Sequence, residues 1–128
     1  MTPHKLNDIT YQIIGAAMEV HDEFKAGLTE EIYEEAMEVE LKLRNIKVER
    51  QVHVPVYYKG IKLKKKYFID MLVEDKVIVE LKCVKEFHPI HEVQLVTYMK
   101  LTNKKLGLLL NFNVTKMMDG IKRKVNNL

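Results

Sequence analysis

Apolar residues recur at helical spacing in the first third of the chain. Their recurrence every three or four residues predicts a first helix over residues 8–24, a break at residues 25–28, and a second helix over about residues 29–45. The apolar positions expected on the buried side of the second helix are Ile32, Tyr33, Ala36, Met37, Val39 and Leu43.

The middle of the chain carries β-branched apolar runs in place of helical spacing. These runs predict strands over residues 47–57, 67–73 and 77–84. Because proline cannot donate a backbone hydrogen bond, Pro55 indicates that the first of these is an edge or bulged strand. The second and third runs are joined by a turn and form a hairpin.

The last third of the chain completes the predicted fold. Pro89 can open a helix over residues 90–101, and residues 106–111 are then typical of a buried strand. Residues 116–126 are expected to form a short terminal helix. The resulting order, ααβββαβα, predicts an α/β (α+β) domain in which helices flank a mixed sheet with a central hairpin.

Two acids and a lysine interrupt the otherwise apolar hairpin. If the turn is centred on Asp75, Asp70 lies opposite Glu80 with roughly 5 Å between their Cβ atoms. Glu80 and Lys82 are two residues apart and point to the same face. Carboxylates, helped by the backbone carbonyl of Leu81, are the ligands that Mg²⁺ or Mn²⁺ prefers. The patch therefore predicts a metal site that can present a water to a phosphodiester.

The same alternation of charged and apolar residues also fits the solvated face of a hairpin. Against that interpretation, Phe68, Leu72 and Ile78 share the face of the charged residues, so this face is expected to be covered. Covered charges are costly unless a metal, a partner or a ligand compensates them. A register shift of one residue would remove Asp70 from the patch.

Two predicted helices carry further candidates for this site. Glu30 opens the second helix, where a carboxylate either stabilises the helix N-terminus or serves as a third acid near the patch. Gln94 and Tyr98 are four residues apart on the helix after the hairpin, so they form a ledge that can hold Lys82 or a DNA phosphate.

A lysine run precedes the hairpin, with five lysines in residues 59–66. If residues 61–67 are extended, Lys62, Lys64 and Lys66 lie on one face. These lysines either protect an exposed edge strand from pairing or form a phosphate-binding rim beside the carboxylates. The rim predicts nucleic-acid binding that weakens with salt.

The composition limits the class of protein. A chain of 128 residues with 47% hydrophobic and 30% charged residues fits a single domain over residues 1–128. No apolar run approaches the ~20 residues of a membrane span, and no signal-peptide core is visible, so we expect a cytoplasmic protein without a membrane partner. The single cysteine, Cys83, forbids an internal disulfide. The oligomeric state stays open.

Several of these residues together match a known family. Gly27, Glu30 and Tyr33 form a Gly-x-x-Glu-x-x-Tyr motif. The other matching positions are residues 49–57, Asp70, Glu80, Lys82, residues 91–94, Tyr98 and residues 110–112. On these positions the chain resembles the GxxExxY protein family, a branch of the PD-(D/E)XK nuclease superfamily. Ile69 stands where the superfamily name expects proline.

The resemblance implies a restriction-endonuclease-like core and a role for each matching residue. It implies that the catalytic residues are Glu30, Asp70, Glu80, Lys82, Gln94 and Tyr98, and that the metal ligands are Asp70, Glu80, Glu30 and the Leu81 carbonyl. The leading hypothesis is therefore a metal-dependent, nuclease-like phosphodiesterase that uses Mg²⁺ or Mn²⁺ on DNA or RNA. The alternatives are a catalytically silent module that binds nucleic acid or protein, and a hydrolase of small phosphoesters.

Overall fold

A five-stranded mixed sheet organises the chain, and the computed structural model describes residues 3–127, with side chains from residue 5 onward. The helices are α1 (Pro3–Phe24), α2 (Glu30–Leu43) and α3 (Pro89–Thr102), and a 3₁₀ turn spans Met117–Gly120. The strands are β1 (Val48–Val54), β2 (Tyr57–Tyr58), β3 (Ile61–Lys62), β4 (Tyr67–Val73), β5 (Val77–Lys82), β6 (Leu106–Asn111) and β7 (Ile121–Val125).

The sheet has the order β1-β4-β5-β6-β7, and β2 and β3 form a separate two-stranded hairpin. Neighbouring strands are antiparallel except β5 and β6, which are parallel because α3 connects them across the sheet. One apolar cluster fills the face covered by α1 and α2, and a smaller one fills the face covered by α3. The predicted mixed α/β class is confirmed.

The hairpin register agrees with the sequence prediction. Val73 pairs with Val77 and Met71 with Val79, so the turn is centred on Asp75. Glu74 and Asp75 adopt positive φ angles, and Lys76 N–H donates to the Val73 carbonyl at 3.0 Å. The prediction that the first strand lies at an edge is also confirmed, since β1 is the outermost strand.

The terminal helix predicted over residues 116–126 is wrong. This segment forms the 3₁₀ turn and then β7, which pairs antiparallel with β6. Without β7, one backbone edge of β6, a strand of six buried residues, would lack hydrogen-bond partners. The need to pair this edge outweighs the weak helical spacing of the segment.

Two other predictions need correction. On α2, Ile32, Val39 and Leu43 are exposed, because α1 and the sheet cover a narrower stripe of Tyr33, Met37 and Leu41. The segment 61–67 is not one extended strand, since β3 ends at Lys62. The common face predicted for Lys62, Lys64 and Lys66 is therefore not set by strand geometry.

None of the helices in the described residues combines the length and the apolar character needed to span a lipid bilayer.

Of the five glycines, Gly120 lies closest to the backbone of another segment. A Cβ at this position would collide with the backbone carbonyl oxygen of Asn111, whereas a Cβ at Gly107 would meet the movable side chains of Leu95 and Met99. We expect Gly120→Ala to lower the free energy of unfolding by about 2–3 kcal/mol, and Gly107→Ala by about 1 kcal/mol. Urea denaturation of both variants measures this order, and equal losses would contradict it.

Candidate active site

The site is centred on the point where β4 and β5 separate. Their backbone pairing runs from Val73↔Val77 to Met71↔Val79 and does not continue, although both strands do. Two carboxylates take over from the backbone. Asp70 N–H donates to Glu80 Oε2 at 3.2 Å, and Leu81 N–H donates to Asp70 Oδ2 at 2.8 Å. Each acid is thus held by a backbone donor of the opposite strand, and both carboxyl groups enter the same gap.

A change in side-chain alternation along β4 accompanies this gap. Met71 and Val73 pack against the α1/α2 side, but Ile69 and Leu72 both pack against the α3 side. Opposite Asp70, Gln51 of β1 has a φ of 52°, and the pairing of β1 with β4 is interrupted there by one residue on each strand. The prediction that Phe68 covers the face of the acids is wrong, since Phe68 is exposed and Ile69 is buried in its place.

Glu80 is an acidic residue that is buried and has a strongly raised pKa. Only 7% of the residue is exposed, and its Oε1 atom has no hydrogen-bond partner among the described residues. Burial, and after it the neighbouring Asp70 carboxyl, raises the pKa of Glu80 to about 10. At neutral pH, and with no cation bound, Glu80 is therefore protonated.

The donor set of this gap fits a hard divalent cation. The two acids offer carboxylate oxygens, which Mg²⁺ and Mn²⁺ prefer, and a cation would pair the buried Oε1 of Glu80. Within residues 5–127, no group of three or more acidic, histidine or cysteine side chains is placed to hold a metal. A cation at Asp70 and Glu80 would thus need backbone oxygen or water to complete its coordination.

Three charged or titratable side chains lie around the end of β5. Glu30, in the first turn of α2, accepts a hydrogen bond from Cys83 N–H at 3.3 Å. Lys82 is half-buried, and its positive charge reaches both Glu80 and His91. Burial and then Lys82 lower the pKa of His91. The structure thus brings Glu30 and Lys82 to the strand end that carries Glu80.

The two polar residues predicted on α3 have different environments. Tyr98 is buried, and burial followed by the nearby Glu80 raises the pKa of its phenol. Gln94, one turn earlier, is exposed and makes no side-chain hydrogen bond within the described residues. Tyr98 therefore lies near the acids, whereas no hydrogen bond within the described residues joins Gln94 to either acid.

A network that the sequence analysis missed borders Asp70. The buried Glu34 accepts hydrogen bonds from Arg50 Nη2 at 2.8 Å and from Gln51 Nε2 at 2.9 Å, and Gln51 Nε2 lies 3.5 Å from Asp70 Oδ1. The available signal was that Glu34 follows Glu30 by four residues and so shares its helix face. These side chains line a cleft of about 330 Å³, formed by Glu30, Glu31, Glu34, Arg50, Gln51, Asp70 and Leu81.

The Gly-x-x-Glu-x-x-Tyr motif has a structural explanation. The Tyr33 hydroxyl donates to the Lys25 carbonyl and accepts from Leu28 N–H, while its ring stacks on Phe112 with 4.5 Å between centroids. Gly27, between them, has a φ of 115°, which favours glycine. Tyr33 therefore fixes the loop before α2 and, through it, the start of the helix that bears Glu30.

The three predicted acids and Lys82 fall into two groups that meet in the gap. Glu30 and Asp70 line the cleft beside α2, whereas Glu80 alternates with Val79 and Leu81 and leaves β5 on the α3 side, with Lys82. The lysines predicted to bind phosphate, Lys62, Lys64 and Lys66, are exposed.

Comparison with known proteins gives one match. A family model described as the PD-(D/E)XK nuclease superfamily matches residues 7–124. This range includes every candidate site residue, and the mixed sheet between helices is consistent with a restriction-endonuclease-like fold. No match was found among curated proteins or solved structures. The GxxExxY branch stays a prediction.

The raised pKa of Glu80 predicts how stability depends on pH in the metal-free protein. The stabilisation that comes from the protonated Glu80 carboxyl is fully present below pH 4.5, because the folded and unfolded chains both bind the proton there. As the pH rises toward 10, the unfolded chain releases the proton and the folded chain keeps it, so stability falls by about 1 kcal/mol per pH unit.

We therefore expect Glu80→Gln to be more stable than the parent protein in EDTA, with a difference that grows from pH 6 to pH 9. Urea denaturation across this range measures it. Glu35→Gln, at an exposed carboxylate of α2, is the matched control and should follow the parent profile. Parallel profiles for Glu80→Gln and the parent would contradict the assigned protonation.

Proposed function

Because the chain belongs to the PD-(D/E)XK nuclease superfamily, we propose that it is a divalent-cation-dependent phosphodiesterase that hydrolyses DNA or RNA. One observation carries the proposal: Glu80 Oε1 is buried, has no hydrogen-bond partner among residues 5–127, and belongs to a carboxyl group that lies beside that of Asp70 in the gap between β4 and β5. Two such acids repel each other unless a proton or a cation is shared between them. The backbone donors that hold the two acids leave Glu80 Oε1 without a hydrogen bond among the described residues, and a cation in the gap would pair it.

Asp70, Glu80 and the Leu81 carbonyl are the groups that would hold Mg²⁺ or Mn²⁺. Leu81 N–H already binds Asp70, which brings this stretch of β5 close to the acids. Glu30 of α2, which accepts a hydrogen bond from Cys83 N–H just beyond the end of β5, would assist at a second cation position. When bound, the cation would polarise the phosphodiester and lower the pKa of the attacking water.

Lys82 would orient that water and stabilise the negative charge that develops on the phosphate. Its position supports this role, since it shares a strand face with Glu80 and is half-buried. An ammonium acts more strongly on a phosphate where water is partly excluded. Tyr98 would brace the α3 side of Glu80, and Gln94 would contact the substrate phosphate or Lys82 from its exposed position on α3.

Lys62, Lys64 and Lys66 would bind the phosphates of the substrate outside the gap. They are exposed, and the segment 57–68 that contains them has no acidic residue. Binding through these lysines would weaken as salt is added, because counterions are released from the nucleic acid.

The proposal predicts that hydrolysis depends on Lys82. We expect purified protein to cleave single-stranded or duplex DNA or RNA with Mg²⁺ or Mn²⁺, and Lys82→Ala to cleave about 10²- to 10³-fold more slowly. Lys100→Ala removes an exposed lysine of α3 and should retain activity. Equal rates for the parent and Lys82→Ala would contradict the mechanism. Binding of nucleic acid without hydrolysis, whichever cation is added, would favour the catalytically silent module.

A second prediction concerns the cation itself. In calorimetric titrations at pH 7, Mn²⁺ should bind the parent protein with release of about one proton, since Glu80 must ionise to become a ligand. Asp70→Asn should lose most of this affinity, whereas Asp119→Asn, at an exposed acid of the 3₁₀ turn, should keep it. If Asp70→Asn bound Mn²⁺ like the parent, the acids would not form the site.

A further inference from the structure

Aromatic rings and lysines are concentrated in the segment that leads from β2 to β4. Residues 57–68 hold five lysines, four aromatic residues and no acid. Tyr57 and Tyr58 are 59% and 61% exposed, and Tyr67 and Phe68 are also exposed. Single exposed apolar residues are common on soluble domains, but a concentration of rings within a field of one charge marks a binding surface.

The β2–β3 hairpin orders part of this segment. Lys59 and Gly60 form its turn, with φ angles of 49° and 81°. Tyr57 pairs with Lys62, so the two side chains lie next to each other on one face of the hairpin. This face therefore presents a flat ring beside an ammonium group.

The same combination recurs along the segment. Lys59 Nζ lies 5.4 Å from the centre of the Tyr58 ring, and Lys65 Nζ lies 6.0 Å from the centre of the Tyr67 ring. Three of the exposed rings thus have an ammonium within reach. A ring that can stack on a base and a cation that can pair with the adjacent phosphate are the two elements of a surface for unpaired nucleic acid.

The segment is connected to the carboxylate gap. Tyr67 begins β4 three residues before Asp70, and its ring lies 6.1 Å from that of Tyr98. Val54, which pairs with Tyr67, precedes Tyr57 by three residues. By the reach of extended chain and the spacing of strands, Tyr57 lies within about 25 Å of Asp70. A strand bound on the hairpin can therefore continue to the acids.

Resting on the proposed nuclease function, we propose that the β2–β3 hairpin is a binding arm for single-stranded nucleic acid, in which Tyr57 stacks on a base and Lys62 pairs with a phosphate. The bases of a duplex already stack on one another and are not free to stack on Tyr57. The arm would therefore bind a duplex only through its lysines. Every base has a π-face, so stacking on Tyr57 accepts any sequence. The arm thus selects for unpaired substrate and leaves sequence unread.

The experiment measures binding separately from hydrolysis. Fluorescence anisotropy in EDTA, where no cation supports cleavage, gives the affinity for a labelled 20-nucleotide single strand and for its duplex. We expect the single strand to bind at least about tenfold more tightly. Tyr57→Ala should weaken single-strand binding by about 5- to 100-fold, the range for loss of one stacked base, and leave its salt dependence unchanged. Tyr57→Phe keeps the ring and should bind like the parent.

Two further variants complete the test. Tyr11→Ala removes a ring on α1 that is 75% exposed, and should change neither affinity. Lys62→Ala should weaken the binding of both substrates and reduce the slope of affinity against salt by about one. Thermal unfolding verifies that each variant is folded.

The outcomes for the arm and for the nuclease are distinguishable. Equal affinity for single strand and duplex, or equal effects of Tyr57→Ala and Tyr11→Ala, would overturn the arm even if the protein cleaves. Selective single-strand binding that depends on Tyr57, in a protein that cleaves nothing with Mg²⁺ or Mn²⁺, would support the arm and overturn the nuclease.

Discussion

The candidate site depends on two hydrogen bonds in which each acid accepts from the backbone of the neighbouring strand, β4 or β5. Asp70 and Glu80 each accept a hydrogen bond from the main chain of the other strand, and these bonds take the place of backbone pairing beyond Met71 and Val79. The arrangement forces two carboxyl groups together in a gap where Glu80 is almost fully buried. At neutral pH the pair of acids must therefore either keep a proton or bind a cation.

The surrounding elements hold this gap in place from three directions. On the α2 side, Gln51 connects Asp70 to Glu34, whose charge is balanced by Arg50. Beyond the end of β5, the buried amide of Asn111 bonds both the N–H and the carbonyl of Val84. On the α3 side, Tyr98 packs in the apolar cluster next to Glu80. The backbone near the acids is therefore braced by polar contacts that the apolar core alone would not supply.

The sequence predicted the hairpin well because its turn, its register and its apolar pattern agree, and Val73↔Val77 follows from Asp75 alone. It failed at Phe68 and Ile69, since strict alternation cannot anticipate the irregular backbone at Gln51 or the change of face beside Asp70.

The β7 segment was missed for a different reason. Its local spacing is weakly helical, and only the unpaired edge of β6, a non-local demand, makes it a strand. For the candidate site, residue type and spacing predicted that Glu30, Asp70, Glu80 and Lys82 are neighbours, but Glu34, Arg50 and Gln51 become neighbours of Asp70 only through folding. Their hydrogen bonds join residues far apart in the chain, so no local pattern records them.

Tyr33 contacts both the apolar core and the loop that leads to Glu30 of the candidate site. Its ring stacks on Phe112, at the end of β6, while its hydroxyl ties the loop from which α2 and Glu30 begin. The packing of the core and the placement of Glu30 therefore depend on the same side chain, so neither can be changed independently of the other.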